Sequence, residues 1–185
     1  VRGCTRTVMR WSVEYTETTP IVFQPPSGTD AEIERALEKA NQLVTSLRSR
    51  VVPAPVDLSA DELNLIVYYH PAAEKIAEHL RFAIRDDRLV LMSSLPMDKM
   101  AEAGMTNVAG RYFNSEVTLD VSVVAGELML YVHDVLIRGE KLPEPLIKSL
   151  SQENLGKEKS RPEISEMLSL IRNAYIKQGA VHIAP

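Results

Sequence analysis

The sequence contains a single cysteine and none of the common catalytic motifs. Because Cys4 stands alone, an internal disulfide framework and a zinc site built from several thiolates are both excluded. The chain has no glycine-rich phosphate loop, no GxSxG, no HExxH and no CxxC, and its 4 histidines lack the spacing that aims two imidazoles at one metal. We therefore expect no metal, no cofactor and no enzymatic activity.

The sequence also lacks a long apolar run and a surplus of basic charge. No stretch approaches the roughly 20 apolar residues that span a bilayer, and no signal-peptide pattern is present. The 185 residues carry 21 basic and 25 acidic side chains, a formal net charge of −4, so nucleic acid is not an expected partner. With 45% hydrophobic residues, the chain can form a sizeable core.

Residues 1–28 are interpreted as an N-terminal extension and residues 29–185 as a single domain. Three arginines precede the first acidic residue, which is typical of a juxtamembrane segment or of a solvated terminus. They are Arg2, Arg6 and Arg10. Residues 19–26 contain several prolines and are predicted to be extended. Because the chain begins with Val1 rather than Met, a membrane anchor upstream of Val1 is one expectation.

Capping boxes, in which Ser or Thr is followed by Glu three residues later, predict the starts of helices. The pairs are Thr29 with Glu32, Ser59 with Glu62, and Ser160 with Glu163. Apolar stripes at helical spacing follow the first and third pairs, and each stripe predicts one buried face. The predicted helices run from Thr29 to about Arg50, onward from Ser59, from Pro71 to Leu80, from Pro145 to Leu155 and from Ser160 to Gln178. Gly156 and Gly179 are expected to end the last two.

Alternation of apolar and polar residues predicts strands in the middle of the chain. One hairpin is expected through residues 80–85 and 89–92, and a longer one from about Tyr112 to Arg138. Residues 180–183 predict a last short strand. The predicted fold is α+β, a curved antiparallel sheet built from two hairpins plus a short C-terminal strand, with N-terminal and C-terminal helices packed on it.

A two-residue loop at Ala125-Gly126 sets the register of the long hairpin. It pairs Val123 with Leu128, Val121 with Leu130, and Leu119 with Val132. We call the opposite side of this hairpin the reverse face. The register places there the side chains of Met129, Tyr131, His133, Val135 and Ile137. Apolar side chains on one strand then lie beside polar ones on its neighbour, as in a sheet that cradles an apolar molecule or is covered by a helix.

Methionines are concentrated in and beside residues 93–110. A flexible, polarizable Met-rich loop can line a pocket for an apolar ligand or adapt to a protein partner, whereas the alternative is a turn of helix from Asp98 to Ala103 that caps the sheet. The candidate ligand-binding residues are Met97, Met100 and Met105 of this loop with Met129, Tyr131 and His133 of the reverse face.

The register also permits an enzymatic alternative. His133 is predicted to lie on one face with Tyr131 and Asp120, which are the neighbours that a hydrolase-like general base requires. Asp134 points to the other face and cannot orient the imidazole. Cross-strand polar pairing without catalysis explains the same pattern.

Several short motifs together resemble uncharacterised bacterial envelope domains, broadly the YpmS-like family. They are Leu58-Ser-x-Asp-Glu-Leu-Asn64, Arg88-Leu89, Gly110-Arg-Tyr-Phe-Asn114 and Gly139-x-x-Leu142-Pro143. The similarity extends from about Leu58 to Ile183. It implies an extracytoplasmic α+β domain of the cell envelope that follows an N-terminal membrane helix, and it supplies no catalytic residues. The missing catalytic motifs, the methionine cluster and the half-apolar reverse face predict non-enzymatic binding of an apolar, lipid-like ligand or of a protein partner.

Overall fold

The computed structural model describes residues 13–156 and 166–184. It contains the helices α1 (Asp30–Arg48), α2 (Ala60–Tyr69), α3 (Asp98–Glu102) and α4 (Glu144–Ser151). The strands are β1 (Val56–Ser59), β2 (Leu80–Arg85), β3 (Arg88–Pro96), β4 (Tyr112–Val124), β5 (Glu127–Ile137), β6 (Glu140–Lys141), β7 (Asn173–Lys177) and β8 (Ala180–Ala184). Single turns of 3₁₀ helix cover Pro71–Ala73 and Thr106–Val108.

One antiparallel sheet of 8 strands organises the molecule, in the order β1-β8-β7-β4-β3-β2 with β5 also paired to β4 and β6 to β5. Strand β4 is the centre: β3 pairs with its first part, β7 meets its last two residues, and β5 runs along its other edge. Both predicted hairpins and the final strand are present. The predicted α+β fold with a curved antiparallel sheet is confirmed.

The predicted register of the long hairpin is confirmed from its turn as far as the pair Leu119 with Val132. Beyond that pair a β-bulge shifts the register, because Thr118 pairs with Asp134 and leaves His133 as the extra residue. One extra residue inverts the parity of the rest of the strand. The placement of Val135 and Ile137 on the reverse face was therefore wrong: they are 6% and 7% exposed in the core.

The prediction of a helix from Ser160 to Gln178 was wrong in its second half, where β7 forms a hairpin with β8. Gln178 and Gly179 have φ values of 52° and 76°. Two central residues with positive φ make the tight turn that joins twisted strands, so Gly179 turns a hairpin and does not end a helix. Residues 166–168 are helical. The capping box at Ser160 lies outside the described residues.

Two short elements also differ from the sequence predictions. The helix expected from Pro71 to Leu80 is helical only at Pro71–Ala73, where His70 Nδ1 accepts a hydrogen bond from the Ala72 amide (3.2 Å). A helix of ten residues is marginal unless it buries an apolar face, and Ile76 in this stretch is exposed. Strand β1 was not predicted, because it exists only through its pairing with the distant β8.

Residues 15–24, which we call the strap, contain no helix and pass from the core cluster beside Tyr15 onto the reverse face of β3 and β4. Glu17 forms a β-bridge with Tyr112. The Asn114 amide donates to Glu17 Oε2 (2.6 Å) and to the Thr19 carbonyl (2.9 Å), and Ser94 Oγ accepts from the Ile21 amide (3.0 Å). Buried polar side chains of the sheet therefore hold the strap in place.

The capping boxes of α1 and α2 are both formed, but the apolar stripe of α1 is only partly covered. Helix α1 has 19 residues and its neighbour α2 has 10, which correspond to about 28 Å and about 15 Å at the usual rise. Ala36 is the only described residue of α1 that is fully buried, and Val44 near its end is exposed. The second half of α1 thus extends past its helical partner.

The core of the described chain contains few completely enclosed side chains. Its main cluster joins Val132, Val135 and Ile137 with partly buried neighbours that include Phe113 and Leu119. The largest described side chains below 2% exposure are valines, so every described leucine, isoleucine and phenylalanine keeps some accessible surface. Interiors are normally packed as densely as organic crystals. Most large apolar side chains of the described residues are therefore only partly buried.

Candidate functional site

The methionines of the predicted ligand-binding loop lie on a helical segment next to the first residue of β4. Met97 directly precedes α3, and its amide donates to the Arg111 carbonyl (2.9 Å). Met100 lies within α3 and is exposed, and Met105 precedes the second 3₁₀ turn. The segment forms the turn of helix that was the alternative to an open loop.

The predicted residues of the reverse face lie near the other end of β4. Met129 and Tyr131 pair with Ser122 and Asp120, and Asn154 Nδ2 lies 3.3 Å from the Met129 sulfur. A strand rises roughly 3.3 Å per residue, so about 30 Å of β4 separates this pair from the methionines around α3. The six predicted residues therefore do not converge on one site.

His133 lies at the bulge, on the open surface of the sheet. Its Nδ1 is 3.6 Å from Asp120 Oδ2, and both side chains are 48% exposed. Arg88 Nε donates to the other oxygen of Asp120 (2.8 Å). The carboxylate is thus shared between a guanidinium and an imidazole in water, with no enclosing wall from the residues described. The hydrolase-like site around His133, Tyr131 and Asp120 stays a prediction.

The strap covers one end of the reverse face and leaves a cavity of about 260 Å³ beneath it. Ile21 and Phe23 of the strap line one side of this cavity, and Met92 and Leu136 of the sheet line the other. The partial cover of the reverse face is therefore an extended N-terminal segment and not a helix. The cavity is small compared with the 300–1,000 Å³ or so of typical ligand sites.

A buried arginine connects the strap to β2. The guanidinium of Arg81 lies between the rings of Phe23 (5.5 Å) and Tyr68 (5.3 Å). Its N–H groups donate to the carbonyls of Gln24, Ala77 and Leu80. Burial lowers the pKa of Arg81 from its usual value. Because backbone carbonyls already accept hydrogen bonds from its N–H groups, the Arg81 side chain holds the strap against β2 and has few donors left for a ligand.

A further candidate site is a cleft of about 500 Å³ between the C-terminal end of α1 and residues 166–170, which we call the distal cleft. Leu47, Met167 and Leu170 supply its apolar walls. Arg48, Arg50 and Glu166 stand at its charged rim, where Arg50 Nη2 and Glu166 Oε2 are 2.9 Å apart. With Ser169, the described lining has three apolar and four polar residues, and small-molecule sites likewise combine apolar walls with polar groups.

The walls of the distal cleft are positioned by separate parts of the fold. Residues 166–170 lie against the turn between β4 and β5, where a Cβ on Gly126 would come within 2.8 Å of the Ser169 Cα. The Ala125 amide donates to the Arg172 carbonyl (2.9 Å), and the buried Ile171 anchors the segment. The opposite wall is the end of α1 that α2 does not reach. The cleft is the space left between them.

Further apolar surface continues around the end of α1. Val51 and Val52, which follow the helix, are 56% and 59% exposed, and Val44 is also exposed. On another side of α1 a larger cavity of about 700 Å³ is lined by residues of the helix, among them Glu34, Leu37, Glu38 and Leu43, together with Pro53, Ala54 and Val56. Val44, Val51 and Val52 therefore leave apolar surface accessible near the end of α1.

Sequence reasoning did not identify the distal cleft as a site. Leu47 was assigned to the buried apolar stripe of the first predicted helix. Met167 was assigned to the apolar stripe of the last predicted helix, whose second half is strand β7 in the structure. The single signal in the sequence was the length of the first stripe, which exceeds what the short second helix can cover. That signal indicates uncovered apolar surface but not its partner.

Within residues 13–156 and 166–184, no group of three His, Cys, Asp or Glu side chains is placed to hold a metal ion. No helix in that part of the chain is both long enough and apolar enough to cross a membrane. The chain matches no protein-family model, no curated protein and no solved structure. The resemblance to the YpmS-like family therefore stays a prediction.

Proposed function

We propose that this protein is a non-enzymatic extracytoplasmic domain that binds a lipid-like ligand, with the apolar part of the ligand in the distal cleft. The observation that carries the proposal is the cleft of about 500 Å³ walled by Leu47, Met167 and Leu170. Methionine adapts its shape to a flexible apolar chain. Each methylene group that leaves water for such walls contributes about 0.8 kcal/mol.

The accessible apolar surface around the distal cleft supports the same function. Apolar side chains on α1 and at residues 166–170 retain accessible surface that the rest of the described chain does not cover. Leaving this surface in water is unfavourable, and an apolar ligand removes that cost. A ligand that binds only the folded state also stabilises it by mass action.

The sheet edges favour an apolar ligand over a protein partner that adds a strand. Asn64 donates to and accepts from the backbone of Phe82 on β2 (both 2.8 Å). Lys39 Nζ donates to the Asp57 carbonyl on β1 (2.9 Å), and Asn154 bonds the backbone of β5. Side chains that occupy backbone groups at an edge obstruct pairing with another chain.

The extracytoplasmic location and a membrane anchor upstream of Val1 belong to the same proposal. The strap contacts the first residues of β4, whereas the distal cleft lies beside the turn that follows β4. Strand β4 has 13 residues, about 40 Å at the usual rise. A membrane anchor connected to the domain through the strap therefore lies at one end of β4, and the distal cleft lies at the opposite end.

The proposal is tested by titrating the full chain, after solvent extraction, with the neutral fluorophore N-phenyl-1-naphthylamine. We expect a saturable rise in fluorescence. Met167→Trp fills the cleft and is expected to weaken binding by about tenfold or more, which corresponds to about 1.4 kcal/mol. Met100→Trp, an equivalent change at an exposed methionine of α3, is the matched control and is expected to bind normally.

Two results count against the distal cleft. The absence of saturable binding by the extracted protein contradicts a lipid-binding function. Loss of binding in Met100→Trp with normal binding in Met167→Trp moves the site to the methionines around α3, where the sequence predicted it. Far-ultraviolet circular dichroism of both variants establishes that each one is folded.

A further inference from the structure

Among the described residues, the rim of the distal cleft carries more positive than negative charge. Arg48 and Arg50 stand on one side and Glu166 on the other. Arg50 pairs with Glu166 at 2.9 Å, whereas Arg48 makes no ion pair with any residue in the described part of the chain. One guanidinium is therefore available at the mouth, and a second is held by a single carboxylate.

The pair between Arg50 and Glu166 is easily exchanged. The two side chains are 79% and 65% exposed, so water and salt screen their attraction. The pair also joins two separate parts of the chain across the cleft, the residues that follow α1 and the segment that precedes β7. An incoming anion that replaces Glu166 on Arg50 therefore breaks only a weak contact.

We propose that the ligand of the distal cleft is an anionic amphiphile, with its apolar chain against Leu47, Met167 and Leu170 and its head group on Arg48 and Arg50. This inference rests on the proposed function. Guanidinium groups bind carboxylates and phosphates through two parallel N–H donors, which a neutral or cationic head group cannot accept in the same way. Glu166 is then a competitor within the protein that lowers the affinity for anions.

The shared chemistry of the head group is a carboxylate or a phosphate monoester on a single alkyl chain. The test compares four ligands with the same twelve-carbon chain, about the smallest that keeps appreciable apolar surface. They are dodecanoate, dodecyl phosphate, dodecanol and dodecyltrimethylammonium. Each displaces N-phenyl-1-naphthylamine from the extracted full chain, below its micelle concentration.

We expect both anions to bind about fivefold tighter than dodecanol at low salt, and dodecyltrimethylammonium to bind most weakly. A stronger preference for the phosphate points to phospholipid head groups, and a preference for the carboxylate points to fatty acids. The difference between anions and dodecanol is expected to shrink as salt is added, because the head group is exposed.

Variants of the rim test the assigned residues. Glu166→Gln removes the competitor and is expected to tighten the binding of dodecanoate by about threefold without changing that of dodecanol. The double variant Arg48→Gln with Arg50→Gln is expected to bind dodecanoate and dodecanol equally. The matched controls are Glu38→Gln, at the larger cavity beside α1, and Arg35→Gln on the same helix. Both are expected to leave the preference for anions unchanged.

The outcomes separate this inference from the function on which it rests. If all four ligands bind with equal affinity, or if the Glu38→Gln control tightens dodecanoate binding as much as Glu166→Gln does, the anionic preference is overturned and the lipid-binding function stands. If none of the four displaces the fluorophore and the fluorophore itself does not bind, the proposed function fails. A cationic preference overturns the inference directly.

Discussion

At the first residues of β4, buried side chains hydrogen-bond to the strap, whereas beyond the last residue of the same strand apolar side chains border an open cleft. The first region is polar and enclosed, and the hydrogen bonds of Arg81, Asn114 and Ser94 specify one conformation of the strap. The second region is apolar and loosely covered. The comparison indicates that hydrogen bonds fix a single conformation at one end of the sheet, and that the other end leaves apolar surface for a ligand.

The largest effect on this comparison is expected from Arg81→Ala. The change leaves several backbone carbonyls without a charged donor and removes the contacts to Phe23 and Tyr68, so we expect a loss of about 3 kcal/mol in the free energy of unfolding. Urea denaturation followed by circular dichroism measures it. Arg85→Ala is the control, because that side chain is exposed and pairs with Glu116 at the surface. A similar loss in both variants contradicts the structural role of Arg81.

Asn114→Ala is expected to detach the strap at a cost of about 2 kcal/mol. Its side chain bonds Glu17, the Thr19 carbonyl and Ser94 Oγ, all within the buried end of the sheet. Limited proteolysis is expected to cut the strap faster in this variant. Asn173→Ala, at an exposed position of β7, provides the comparison, and strap cleavage at the rate of the unaltered protein argues against the polar anchoring.

Leu47→Ala tests how tightly the side chains pack at the other end of the sheet, beside the distal cleft. Because Leu47 is only half-buried in the absence of ligand, we expect a loss below about 1 kcal/mol, against about 3 kcal/mol for the buried Leu65→Ala. Thermal denaturation with and without dodecanoate is the measurement. The ligand is expected to stabilise the unaltered protein and Leu65→Ala but to have little effect on Leu47→Ala. Equal costs for the two leucines mean that the distal end is tightly packed.

The smallest expected effect concerns His182 on the outer strands. Its Nε2 and Nδ1 contact the Lys177 carbonyl (2.9 Å) and Asp57 Oδ1 (2.7 Å), and its ring stacks on Tyr175. These hydrogen bonds, first to Lys177 and then to Asp57, raise the pKa of His182 above its ordinary value of 6.5. Two acceptors suit the doubly protonated ring.

The stabilisation from His182 is therefore fully present below pH 6.5 and is lost as the pH rises through the higher pKa of the folded state. Melting temperatures measured from about pH 5 to about pH 9 are expected to fall less steeply on the alkaline side for His182→Gln than for the unaltered protein. His133→Gln serves as the comparison at a half-exposed histidine. The same pH dependence in all three proteins excludes this role for His182.

Local signals predicted much of the fold. The capping boxes at Thr29 and Ser59 were confirmed because they depend on residues three apart. The hairpin turn at Ala125-Gly126 was confirmed for a similar reason, since the parity of neighbouring apolar residues admits one register. The predicted register was wrong beyond Val132. A β-bulge at His133, which no local sequence pattern predicted, brings Val135 into the core.

The candidate site was far less predictable. The methionines that suggested a ligand are separated from Met129 and Tyr131 by most of the length of β4. The walls of the distal cleft come from α1 and from a segment more than a hundred residues later in the chain. Apolar residues at helical spacing led to the prediction of one helix there and hid the alternation of the strand that follows. Periodicity reports which face of an element is apolar, but not which distant segment approaches that face.

The sequence by itself determined the starts of α1 and α2, the turn at Ala125-Gly126 and the α+β class, because capping, turn geometry and side-chain parity act between residues that are close along the chain. Tertiary structure alone decided the strand identity of residues 173–177, the burial of Val135 and the space beside Leu47. The physical reason is that strand pairing, bulges and cavities depend on contacts between segments far apart in sequence, whose free energy is gained only when the whole sheet assembles.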